Sequence, residues 1–347
     1  MNYNPQSDIK VIPKQKLIQD LERIGVRQGD TLATPASFKS IGPVEGGPEG
    51  FIDALLEAVG PDGTLMMNTF TKSFPIYAIR QEYVFNHKSS ICWTGILPKT
   101  LRKRKSAIRS KHPVASVVAI GKEAEYLTAE HDAKSNLYLP YSKLAEINGK
   151  FLAVGIGHNL VAIRHEAQRV AGLFDIVQEF RGVKYLDDEG NVNEYVYNNP
   201  PCAKRLPELF PAIRKEGFLR EGKIGNAYSI LAPAKDLLDC MSRELRRNPA
   251  VNLCNDIKCL WCRETERKLD LYEKISNPEI FQRNNFVRTA IARINQIRLK
   301  KHRFLSYKTK TTSINLSKIK QLKNLEPVFE EITGTLRFAL TKASQAN

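Results

Sequence analysis

Apolar and polar residues along the first 250 positions switch repeatedly between a helical and a strand period. KQKLIQDLERIG (14–25) sets Leu17, Ile18, Leu21 and Ile24 on one helix face and stops at a glycine. TLATPAS (31–37) predicts a short strand, and PEGFIDALLEAVG (48–60) predicts a second helix through Phe51, Leu55, Leu56 and Val59. The turn residues PDG then lead into a strand at TLMMNTFT (64–71). The same reading predicts helices near 95–104 and 123–129 and strands at SVVAIG (116–121) and KFLAVGIG (150–157). KYLDDEGNVNEYVY (184–197) alternates on either side of Glu189-Gly190 as a hairpin does, and 206–217 and 232–249 read as helices. This alternation predicts an α/β fold.

The texture changes after about Thr265. NFVRTAIARINQIRLKKHRF (285–304) has the period of a basic amphipathic helix, SYKTKTTSINLSKIKQ (306–321) reads as a linker, and the last stretch reads as a helix broken at Gly334. The expected organisation is one domain over 1–265 and a basic, mostly helical C-terminal extension over 266–347. Charge sharpens this division. The chain carries a formal net charge of +16, and no acidic residue occurs between Phe281 and Leu325. Such a segment suits a polyanion, but Ile291, Ile294 and Ile297 on the helix face suit packing on the domain better, so nucleic acid is not the expected partner. The apolar share of 42% and charged share of 26% are those of a globular protein. With no signal-peptide pattern and no spanning apolar run, a cytoplasmic protein without a membrane span is expected.

Three segments carry candidate chemistry. SFKSIGPVEGG (37–47) is a serine- and glycine-rich connection between a strand and a helix, able to bring backbone N–H groups to an anion or to serve as a plain connector. It lacks the Gly-Lys-Ser/Thr close of a P-loop. RSKHPVAS (109–116) sets an arginine, a hydroxyl and a histidine before a strand, as a ligand site or as a structural His-Pro turn. GIGHNLVAIRHEAQRVAG (155–172) is a strand end, a glycine turn and a helix holding His165, whose imidazole can take a proton near neutral pH. Separately, Cys254, Cys259 and Cys262 end in a Cys-x-x-Cys that suggests zinc. A fourth ligand would have to come from Cys240, Cys202 or a histidine, and packing of thiols beside Trp261 is the favoured reading.

Taken together and in this order, the three segments resemble the aminoglycoside 3-N-acetyltransferase, or antibiotic N-acetyltransferase, superfamily. The resemblance runs through 29–71, RSKHPVAS, LAVGIGHNLVAIRH and 217–239, and covers about residues 15–265. It implies a layered α/β/α sandwich around a mixed sheet and an acyl-CoA-dependent N-acyltransferase, with acetyl-CoA as co-substrate. His165 would be the general base on an amine that attacks the thioester directly, with Glu166 and His112 as further catalytic candidates. Ser37, Ser40 and Gly42 would hold CoA, with Thr69, Arg109 and Ser110 nearby. Two positions depart from the family's pattern: Gln168 stands where a glutamate is frequent three residues after the histidine, and Pro35 where a histidine is frequent. Glu166 is the alternative carboxylate, although a regular helix turns it away from His165. The acceptor implied is an amino sugar, and the basic charge suits a nucleotide-linked one better than a polycationic aminoglycoside. A homo-oligomer and a non-catalytic anion-binding scaffold are further readings.

Overall fold

The computed structural model describes residues 10–160, 162–177 and 179–276. The basic segments expected at 285–304 and 306–321 and the final helix lie outside the described residues. Contacts divide the chain into two compact units, Met1–Ala171 with Glu179–Asn252, and Gly172–Gln178 with Leu253 onward.

The first unit begins with α1 (Lys14–Ile24), β1 (Thr31–Ala33), α2 (Phe38–Ile41), α3 (Gly47–Val59) and β2 (Thr64–Asn68). It continues through β3 (Phe74–Pro75), β4 (Val84–Phe85), α4 (Ile96–Leu101), β5 (Ile108–Arg109), β6 (Val117–Gly121), α5 (Ala124–Thr128), α6 (Leu139–Glu146) and β7 (Lys150–Val154). It closes with α7 (Ile163–Val170), β8 (Phe180–Leu186), β9 (Val192–Asn198), α8 (Phe210–Lys215), β10 (Arg220–Ile224), β11 (Ala227–Pro233) and α9 (Ala234–Arg247).

Seven strands form a mixed sheet in the order β10-β11-β7-β1-β2-β6-β5. β1 runs parallel to β2 and β7, and the outer pairings are antiparallel. The two-residue period sorts its faces. Leu65 and Met67 join a buried cluster with Leu17 and Leu21 of α1, Phe51 and Leu55 of α3, and Leu97 and Leu101 of α4. Each such side chain contributes on the order of 1.5–3 kcal/mol by leaving water. Met66 is also buried but points to the opposite face. Helices cover that face too: the ring of Tyr141 in α6 lies 6.2 Å from that of Phe151 in β7. The result is the layered α/β sandwich around a mixed sheet.

A second sheet builds on the hairpin read at 184–197. β8 pairs antiparallel with β9 from Phe180↔Asn198 to Leu186↔Val192, and β3 and β4 add to β8. Phe85, Val114, Val183, Tyr195 and Tyr197 form its small core. Elsewhere the strand expected over 31–37 stops at Ala33, and the helix expected over 206–217 is a 3₁₀ turn, Leu206–Leu209, running into α8.

The carboxyl ends of β1 and β7 lie side by side. Ala36 bridges Val154, and the Ser37 N–H donates to the Val154 carbonyl at 2.9 Å. Gly155, at φ 66°, follows immediately; a Cβ there would stand 2.6 Å from Cβ of Ser40. Gly42, at φ 98°, has Nδ2 of Asn226 2.5 Å from where a Cβ would be. Close approach of backbone to neighbour explains both glycines. Adjacent parallel strand ends in an open α/β sheet are where ligands collect.

In the second unit α10 (Leu260–Ser276) runs without a break through residues 265–266, where the sequence suggested a boundary. Within that unit Lys268 Nζ donates to the Ile176 carbonyl.

Candidate active site

α7 starts just beyond β7. Ile163 and Ala167 are buried on its inner side, which leaves His165 partly exposed. Ala162, the residue before the helix, holds φ 66° and ψ −58°, a conformation that costs an alanine on the order of 1–3 kcal/mol.

His165 is oriented by the residue one turn further on. Its Nδ1 lies 2.7 Å from Oε1 of Gln168, and Nε2 of Gln168 donates to the Cys202 carbonyl at 3.1 Å. A carbonyl can only accept, so Cys202 fixes which end of the amide faces His165. Oε1 is therefore an acceptor, Nδ1 carries the proton, and Nε2 presents a lone pair. Among the described residues none hydrogen-bonds that Nε2. The ring stacks on Tyr138 with centroids 5.6 Å apart and planes at 21°. Burial, reinforced by the neighbouring Arg164 guanidinium, pushes the imidazole down to about 3 against the smaller upward pull of Gln168. It is neutral throughout the physiological range.

Glu166 pairs away from His165. Its fully buried carboxylate accepts from Ser142 and holds Arg169 by two bonds, at 2.8 and 2.7 Å. Successive helical residues point about 100° apart, so a side chain at 166 cannot reach Nδ1 of residue 165.

His112 is likewise engaged inside the protein. Its Nδ1 accepts the backbone N–H groups of Val114 and Ala115 at 3.2 and 3.0 Å, and its Nε2 pairs with the Tyr195 hydroxyl at 3.2 Å. The ring is fully buried and stacks on His131 at 4.7 Å, and burial pushes it down to about 3. With both nitrogens engaged it has none to offer a substrate. His131 is held likewise, between the Ser110 hydroxyl at 2.9 Å and the Leu137 carbonyl at 3.2 Å. The Arg-Ser-x-His-Pro block is thus a buried polar lattice.

Of the six residues expected near CoA, three are spent inside that lattice. Arg109 donates to Oγ1 and the carbonyl of Thr69, to Ser116 and to the carbonyls of His87 and Ser90, and its burial lowers the guanidinium to about 10. Thr69 is fully buried against Ser116, and Ser110 is buried between His131 and the Val117 N–H. The other three remain accessible. Ser37 and Ser40 join their hydroxyls at 2.8 Å, Ser40 donates to the Gly155 carbonyl at 3.3 Å, and Gly42 follows in the same turn. The first and third sequence blocks therefore meet, while the second supports the neighbouring end of β2. Sequence reasoning did not single out Tyr138 or Arg164; an aromatic remote in sequence carries no spacing signal.

In the second unit Cys254, Cys259 and Cys262 come together, their Sγ atoms within 4.8 Å of one another. No helix among the described residues is long and apolar enough to cross a membrane.

A neutral imidazole held in one tautomer, on a helix that follows a central strand of an α/β sheet, is chemically suited to accept a proton. The chain belongs to the aminoglycoside 3-N-acetyltransferase family, whose sequence profile matches residues 35–246. Aminoglycoside N(3)-acetyltransferase VII of Streptomyces paromomycinus is 29% identical over 262 residues, covering 66% of this chain and 89% of the relative. Aminoglycoside N(3)-acetyltransferase III of a Salmonella species is 35% identical over 254 residues, covering 65% and 88%. The crystal structure of a mutant of aminoglycoside acetyltransferase AAC(3)-IVa in complex with a gentamicin superposes with a TM-score of 0.64 at 26% identity, covering 76% of this chain and 99% of that one.

Proposed function

We propose that this protein transfers an acetyl group from acetyl-CoA to a primary amine of an amino sugar, with His165 as general base. The observation that carries the reading is the chain from His165 Nδ1 through Gln168 to the Cys202 carbonyl, which leaves Nε2 as the basic nitrogen. The amine lone pair attacks the thioester carbonyl while Nε2 takes the proton that the nitrogen sheds. The tetrahedral intermediate then expels CoA as the thiol, the proton returning through His165. Ser37, Ser40 and Gly42 form the turn that receives CoA. The cytoplasm, where acetyl-CoA is made and thiols stay reduced, suits this reaction.

The relatives' names and the gentamicin complex of AAC(3)-IVa favour aminoglycosides as acceptors. One observation favours an acceptor that also carries a phosphate. The Arg164 guanidinium, which donates to Oδ1 of Asn159, is near enough to the base to disfavour its protonation. A cation in that position opposes a polycation and suits an anion. A thiol-release assay with acetyl-CoA, run against aminoglycosides and nucleotide-linked amino sugars, separates the two. No CoA release with any amine, together with no CoA binding by calorimetry, refutes the whole reading.

A further inference from the structure

We propose that Cys254, Cys259 and Cys262 bind one zinc ion that pins the start of α10. The inference is independent of the acetyl-transfer reading.

The three cysteines lie in one unit, spaced Cys-x₄-Cys-x₂-Cys, and none is in a disulfide. Their Sγ atoms lie within 4.8 Å of one another. A tetrahedral zinc with bonds of about 2.3 Å sets its sulfurs ~3.8 Å apart, so the trio reaches coordination distance by a contraction on the order of 1 Å. The spacing also occurs in two-iron clusters, but those divide their cysteines between two metals, whereas these three sulfurs all lie within 4.8 Å of one another. The backbone is folded to hold the sulfurs there. Cys254 N–H donates to Sγ of Cys262 at 3.1 Å, Cys259 N–H to the Asp256 carbonyl at 3.0 Å, and Arg263 reaches back to the Cys254 carbonyl. An N–H aimed at sulfur complements the charge a metal-bound thiolate carries.

Cys254 and Cys262 are buried and Cys259 is partly exposed, which gives the ion an entry path to an otherwise enclosed site. On binding, each of the three S–H groups loses its proton to solvent and its sulfur donates an electron pair to the metal, with no change of oxidation state. One further donor completes the tetrahedron.

The full chain, purified without added metal, is expected to hold about one zinc per molecule by plasma mass spectrometry. An organomercurial should release that zinc to a colorimetric dye. C92S should retain the metal, and the triple variant C254S/C259S/C262S should lose it. Because the triple variant can fail to fold, the wild-type protein provides a second measurement. Replacing its zinc by cobalt should produce thiolate-to-metal charge-transfer bands whose intensity counts three or four sulfurs, and chelation should lower its Tm. Four results overturn the proposal: no metal in the wild-type chain, zinc retained by the triple variant, a cobalt spectrum with fewer than three thiolates, or iron with the visible absorption of a sulfide cluster.

Discussion

At the scale of single residues, the informative position is Gln168. A glutamate there would hold His165 equally well by geometry but would add a negative charge, which favours the imidazolium and raises its pKa. The glutamine orients the ring and leaves it neutral. The proposed chemistry then gives three expectations. His165→Ala should lower kcat/KM by roughly 100- to 10,000-fold and leave CoA affinity by calorimetry nearly unchanged. In wild-type enzyme the acid limb assigned to His165 should lie well below the ordinary histidine range, because burial holds the ring near about 3. Q168E should move that limb upward, since the added carboxylate stabilises the protonated ring; an unmoved limb in the pH profile of kcat removes Gln168 from the role of positioning residue. His165 was legible from the sequence because it follows a strand and a glycine turn. The partner was legible only as an apparent defect, since the Cys202 carbonyl that gives the amide its direction lies 34 positions away.

Among the elements, those with long periodic patterns were read almost to their ends. α1, α3 and α9 fall within two residues of the helices that the apolar spacing indicates. β3, β4 and β5, with two residues each, carry too little pattern to be seen and exist only because neighbours pair with them. β10 and β11 were missed despite a usable signal: Gly225-Asn226 forms a two-residue hairpin loop, with Gly225 at φ 58° and Ile224 paired with Ala227. The turn between β7 and α7 belongs to this scale as well. Gly155→Ala would force an L side chain into positive φ and press its Cβ against Ser40. It should cost about 1–3 kcal/mol in urea unfolding. By displacing the serine turn it should raise the KM for acetyl-CoA more than it lowers kcat. Wild-type stability together with unchanged KM would show that the two loops do not need this contact.

For the molecule as a whole, the buried histidine lattice sets a response to acid. His112 stays neutral in the folded chain down to about 3, whereas the unfolded chain protonates it near 6.5. Between those values the unfolded state binds more protons, so stability falls as pH falls from about 6.5 toward 3. At pH 5 the loss from His112 alone is about 2 kcal/mol relative to pH 8. His112→Gln should flatten this slope in unfolding curves taken between pH 7 and 5, even where its stability at pH 8 is lower. The α/β class and the central sandwich were open to sequence reading because strand and helix periods alternate there. The burial of the Arg109 block was not: an arginine, a serine and a histidine before a strand look alike whether they face solvent or a carbonyl-lined interior.

The neutrality of His165 has a consequence for choice among amines. If His165 is the base as proposed, so low a pKa would not let it strip an ammonium ion in advance; it would accept a proton only once the nitrogen has begun to bond to carbon. On the proposed mechanism the acceptor would have to arrive already uncharged. At pH 7 an amine of pKa 7 is half in that form, whereas one of pKa 10 is so in about one molecule in a thousand. On a sugar bearing several amino groups, the least basic nitrogen within reach would be acylated first, so regiochemistry would follow basicity as well as fit.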